Sequence, residues 1–229
     1  MPLDAVLLEF DGLLAETAPA RREALARALA EEGVSLSAAQ FALLDPWQAP
    51  RSVALDVARQ RGVELDETAL DLVGLRTERH AAELLGAGLS LAPGAAALLH
   101  ALAGHAQVGI VTSAPRELVE YVLGMAGLEH EVAFLVTARE QLARKPSPDG
   151  HLAALRRLSR WRPLHSLHVL ALESSAAGIA AATAAGIRCV AVGVLPAHEA
   201  MRAAAYLPSL AGVTVQRLAG LAAPPERAS

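Results

Sequence analysis

Apolar residues recur along the chain with two different periods, and the switch between them divides it. The segment 5–10 opens on the unbroken apolar run Ala5-Val6-Leu7-Leu8 and closes on Glu9, Phe10 and the turn pair Asp11-Gly12. A short continuous apolar run bounded by turn residues predicts a strand buried on both faces, here ending at carboxylates. From residue 19 the spacing becomes three and four, which predicts helices over 19–32, 37–44, 52–61 and 67–85, often with Ser or Thr in front to cap them. No strand pattern interrupts these helices, so an all-helical insertion of about seventy residues follows the first strand.

Beyond Leu91-Ala92-Pro93-Gly94 short apolar runs alternate with helical stretches. The runs 108–112, 132–136, 167–172 and 188–192 predict strands joined by crossover helices, the pattern of an α/β, doubly wound, Rossmann-like parallel sheet. The expected organisation is an α/β core of residues 1–14 and 90–229 with a helical domain of residues 15–89 inserted in it. The alanine-rich stretches 20–30 and 176–185 keep helical periodicity without a strict repeat and read as close-packed helices.

Composition narrows the function classes. The chain has 229 residues, 53% hydrophobic and 19% charged, with a net charge of -4, which suits a globular fold and supplies no basic field for nucleic acid. No run reaches the 18 uninterrupted apolar residues of a membrane span, and the N-terminus lacks the pattern of a signal peptide, so a cytoplasmic protein with no membrane partner is expected. Cys189, the single cysteine, lies in an apolar run and reads as a small buried hydrophobe. Of 20 basic residues only Lys145 is a lysine.

Ligands of such sheets bind beyond the carboxyl ends of the strands. The polar groups predicted there are Glu9 and Asp11, Thr112 and Ser113, Lys145 in a later loop, and Glu173 to Ser175. Carboxylates, a hydroxyl and an ammonium in one place are what phosphoryl transfer needs to offset charge on the transferring group. Competing chemistries find no support: the eight histidines form no metalloprotease-type pair and read as surface or structural, no Gly-x-Ser-x-Gly elbow occurs, and no Gly-x-Gly-x-x-Gly follows a strand.

Four of these segments, in order and spread over nearly the whole chain, resemble the motifs of the haloacid dehalogenase superfamily. Leu8-Glu9-Phe10-Asp11-Gly12 is similar to its first motif, Val111-Thr112-Ser113 to its second, Lys145-Pro146-Ser147-Pro148-Asp149 to its third, and Glu173-Ser174-Ser175-Ala176-Ala177-Gly178 to its fourth. The nearest likeness is to the subgroup of phosphoglycolate phosphatases and β-phosphoglucomutases, whose helical cap follows the first motif. The resemblance implies hydrolysis of a small phosphorylated metabolite. Glu9 would stand at the nucleophile position, Asp11 at the acid/base, and Thr112 and Lys145 at the groups that hold the phosphoryl oxygens. It also implies magnesium held by Glu9, Asp11, Glu173 and Ser174, and substrate contacts from Ser113 and from Gln48 and Arg51 in the cap.

Two positions depart from the pattern. Glu9 replaces the usual aspartate, and its extra methylene displaces the attacking oxygen by about 1 Å, an error worth roughly 100-fold in rate. Ser174 replaces a carboxylate and weakens the magnesium site. Gln48 stands where relatives often carry glycine, which implies an altered cap loop. Two readings stay open: a phosphohydrolase of weak or altered activity, and a binding or regulatory protein that kept the scaffold without turnover.

Overall fold

The computed structural model describes residues 3–88, 91–141, 143–160, 163 and 168–222. The chain divides into two compact units, residues 1–15 with 91–229, and residues 16–90.

The first unit is built on six parallel strands: β1 (Ala5–Leu8), β2 (Gln107–Val111), β3 (Phe134–Val136), β4 (Val169–Glu173), β5 (Arg188–Val192) and β6 (Ala205–Leu207), in the order β3-β2-β1-β4-β5-β6. Its helices lie on both sides of the sheet. They are α5 (Ala95–Ala103), α6 (Arg116–Ala126), α7 (Asp149–Leu158), α8 (Ala176–Ala184), α9 (Ala197–Ala200) and α10 (Val215–Ala222). Side chains of both central strands and their helices interlock in one cluster that includes Leu7, Val111, Ala154, Ala171, Ile179 and Cys189. The thiol of Cys189 is pushed up to about 12 by that burial, as expected of an inert apolar filler.

The α/β, doubly wound architecture agrees with the sequence pattern, and the differences lie at strand ends. The first strand stops at Leu8 rather than Phe10, because the Phe10 N–H bonds the Glu9 carboxylate at 2.7 Å instead of a neighbouring strand. The fourth runs one residue further than expected, with Glu173 paired in register with Ala191. Leu167, at the start of that predicted run, lies outside the described residues. β6 has no counterpart in the sequence reading; three residues carry too little period to register.

After β1 the chain turns sharply: Gly12 N–H bonds the Ala15 carbonyl at 2.8 Å, and Leu14 carbonyl receives the Ala92 N–H at 2.8 Å. Departing and returning segments are thereby stitched together, Ala15 bridging Leu91.

The second unit is helical: α1 (Ala18–Glu31), α2 (Ala38–Leu43), α3 (Pro50–Arg61) and α4 (Glu67–Gly88). Ser37 and Gln40 form a capping box at α2. Leu25, Leu29, Val53, Val57, Leu70 and Val73 make its core. Arg21 is 5% exposed, forks onto Glu78 at 2.9 and 3.0 Å and lies 5.5 Å from the Trp47 ring centre, so α1, α4 and the loop before α3 share one cation. Among the described residues no helix is long and apolar enough to cross a membrane.

Candidate active site

The order of the sheet places β1 between β2 and β4, where the strand order reverses, and this is the position at which crossover loops diverge and leave a crevice. Register then fixes which residues meet there. Leu8 pairs with Ile110 on one side and Leu172 on the other, so Glu9 comes level with Val111 and Glu173, and Thr112 follows one residue beyond them at the carboxyl edge. The three polar residues are buried: Glu9 is 7% exposed, and Thr112 and Glu173 are 1% each.

Lys145, from the loop that leads to α7, inserts its ammonium among them. It donates to the Glu9 carboxylate, to both oxygens of Glu173 at 2.7 and 2.9 Å and to the Val111 carbonyl at 3.0 Å. An ammonium has three N–H bonds, so every donor direction is taken by the protein. The Thr112 hydroxyl accepts from Ala114 N–H at 3.2 Å. Ser113, half-buried, follows it in the loop before α6.

The charge states follow from this packing. Burial alone would discharge all three groups. For Lys145 the attraction of Glu173 and Glu9 outweighs burial and holds the ammonium above its ordinary value. For Glu173 burial is likewise outweighed, by Lys145 and then His151, and its carboxyl lies below the usual range. For Glu9 burial prevails, with Glu173 adding repulsion, and its carboxyl is raised despite Lys145 and Thr112.

His151 is a buried histidine, not a surface one, and it lies against the site. It is 1% exposed, and its Nε2 stands 3.0 Å from Glu173 Oε1, close enough for charge attraction though not aligned as a hydrogen bond. The missed signal was helical spacing: His151, Ala154 and Leu158 occupy one inward stripe of α7, all buried, so a polar group lay on the apolar face.

Glycine at 178 explains the pose of Glu173. A Cβ there would overlap Glu173 Oε2, so only glycine lets the carboxylate fold across the first turn of α8, whose cap is Ser175 accepting from Gly178 N–H at 3.0 Å. Gly12, with φ of 74°, makes the tight turn that brings the Asp11 carbonyl beside β4. Ser174 donates its hydroxyl to that carbonyl at 2.9 Å.

The four residues expected to hold magnesium are thus differently employed. Glu9 and Glu173 are bridged by an ammonium, while Ser174 and the Asp11 carbonyl satisfy one another. Among the described residues no three His, Cys, Asp or Glu side chains converge on a point that suits a metal ion. Magnesium prefers carboxylate and carbonyl oxygens in a near-octahedral shell, and the residues present do not fit it. Gln48 and Arg51 belong to the helical unit. Arg51 opens α3 and ion-pairs there with Glu67 and with Asp71, the latter at 2.7 Å.

Comparison with known proteins gives the family and the fold. The model of the haloacid dehalogenase-like hydrolases matches residues 3–186. The chain belongs to that family. Among curated relatives, the plasmid-encoded protein CbbY of Cupriavidus necator is 32% identical over 82% of this chain and 77% of its own length. The validoxylamine A 7'-phosphate phosphatase of Streptomyces hygroscopicus is 30% identical over 85% of this chain and 86% of its own. A solved CbbY variant from Rhodobacter sphaeroides, in complex with xylulose-(1,5)bisphosphate, superposes with a TM-score of 0.77 at 24% identity, covering 94% of this chain and 99% of that one. This haloacid dehalogenase-like chain shares its fold with a solved β-phosphoglucomutase of Clostridium difficile, at a TM-score of 0.72 and 16% identity over 96% of this chain and 97% of that one.

Proposed function

We propose that the chain hydrolyses a small phosphate monoester, a phosphorylated metabolite of the sugar-phosphate class, at the carboxyl edge of β1, β2 and β4. The observation that carries this reading is the convergence of Glu9, Thr112, Lys145 and Glu173, residues far apart in sequence, around one buried point. A relative acting on a phosphate ester and a neighbour bound to a sugar bisphosphate support the substrate class.

In this reading an oxygen of the Glu9 carboxylate attacks phosphorus, the ester oxygen departs with a proton from Asp11, and water assisted by Asp11 then splits the acyl phosphate. Lys145 aims the Glu9 carboxylate and offsets part of the burial that raises it, and Thr112 with Ser113 offers hydroxyl donors to the phosphoryl oxygens. No step passes through a resident magnesium. The test is phosphate release from a panel of sugar phosphates and phosphoglycolate, with and without magnesium, by the parent and by Glu9→Gln and Asp11→Asn. Release by the parent that both substitutions lower at least about 100-fold is expected; release indifferent to both would overturn the reading.

A second reading, a protein that kept the scaffold without turnover, is favoured by one feature: the donors of Lys145 and the hydroxyl of Ser174 are all satisfied internally. In that case Glu9→Asp with Ser174→Asp would turn over the same panel while the parent does not.

A further inference from the structure

We infer that the ammonium of Lys145 is a built-in cation, which bridges the buried Glu9 and Glu173 pair and offsets their charge from the position a divalent metal would take, so that the chain folds without a metal and holds none there. The inference concerns the site proposed above for phosphate-ester hydrolysis, but it is read out through metal binding and melting.

The bite between the two carboxylates is filled from one side. Lys145 lies 2.7 and 2.9 Å from the two oxygens of Glu173 and also donates to Glu9, with its side chain only 7% exposed. Magnesium sits at about 2.0–2.1 Å from its oxygen ligands, so an ion touching both carboxylates would meet the ammonium at sub-contact distance with like charge. The oxygens not turned to Lys145 have other partners: Glu9 Oε1 accepts from Phe10 N–H at 2.7 Å.

The outer part of the would-be shell is closed as well. The Asp11 carbonyl accepts the Ser174 hydroxyl, and serine brings no negative charge to attract a cation. Main-chain packing holds Glu173 in the pose that serves the ammonium, because Gly178 leaves room for its carboxylate and for nothing larger. His151, 3.0 Å from Glu173 Oε1, adds a nitrogen where a metal shell would need an open face. Two buried carboxylates with one fixed ammonium form a partly compensated cluster, and deleting the cation removes its only fixed positive charge among the contacts described, which burial tolerates poorly.

The test uses the whole protein and three measurements. For the parent, manganese stays free in solution by its paramagnetic resonance signal at about 1 mM metal, and neither EDTA nor magnesium moves the melting temperature. For Lys145→Met the melting temperature falls by about 10 °C, and divalent cations restore part of the loss. Should Lys145→Met fail to fold, Lys145→Met with Glu9→Gln, which removes one charge of each sign, is expected to fold and melt higher than the single variant.

Submillimolar manganese binding by the parent, a parent destabilised by EDTA, a Lys145→Met variant that melts like the parent, or a double variant no more stable than the single one would each overturn the inference. Turnover enters none of these readings. A silent phosphatase assay therefore leaves the inference intact, and a failed inference leaves the phosphohydrolase reading to its own assay.

Discussion

Ser174 donates its hydroxyl to the main-chain carbonyl of Asp11 across 2.9 Å, tying the loop after β4 to the turn after β1. A half-buried bond of this kind contributes about 1 kcal/mol. Ser174→Ala is therefore expected to lower the melting temperature by about 2–4 °C. The neighbouring Gly12→Ala is expected to cost more, because its φ of 74° is strained for alanine and its new Cβ would lie 3.1 Å from Ser174 Oγ. Calorimetry of both variants checks the order.

Glu173 and Gly178 make a steric pair as well as a motif. Gly178→Ala pushes a methyl into the Glu173 carboxylate, and overpacking of that kind costs about 1–3 kcal/mol, with more if the ion pair to Lys145 is lost. In denaturant titrations Glu173→Ala in the Gly178→Ala background should cost less than in the parent, since the clash is then gone. Strict additivity of the two changes would contradict the contact.

The cluster was largely legible in the sequence, and for a physical reason. Strands of a parallel sheet that are buried on both faces read as continuous apolar runs, and the first polar residue after each run is necessarily at the carboxyl edge; Glu9, Thr112 and Glu173 were found that way. Three features were not legible. His151 sits in a helix whose local pattern says only that one face is inward, and what it meets there depends on where β4 lies. The bridging position of Lys145 depends on the path of a loop, which no period encodes. Ser174 read as a lost magnesium ligand, whereas its bond to the Asp11 carbonyl exists only because the turn at Gly12 brings that carbonyl to β4. The missed β6 is a matter of length alone.

Glu140 carries a pH dependence whose sign is fixed. Partial burial would raise its carboxyl, but Thr137 O–H and N–H at 2.6 and 2.7 Å and Arg116 at 2.7 Å prevail and hold it at about 2, against 4.5 unperturbed. Its folded-state value is depressed, so its stabilisation is present above about 4.5 and drains away as the pH falls toward about 2. With screening at a side chain 23% exposed, about 1–2 kcal/mol is expected. Glu140→Gln should be less stable than the parent at pH 7 and nearly equal to it near pH 2, as read by urea midpoints.

Arg21 binds the helical unit through a bidentate bond to Glu78 and the face of Trp47. Lysine keeps the charge but not the planar fork. Arg21→Lys is expected to cost about 1–2 kcal/mol, and Glu78→Gln in that background should add less than it does alone.

In the proposed reaction Glu9 bonds covalently to phosphorus. Acid-quenched turnover mixtures, digested and weighed by mass spectrometry, show whether it does. One added phosphoryl group is expected on the peptide that contains Glu9, and none in Glu9→Gln; phosphate released steadily with that peptide unmodified, or with the label on another residue, would rule the covalent step out.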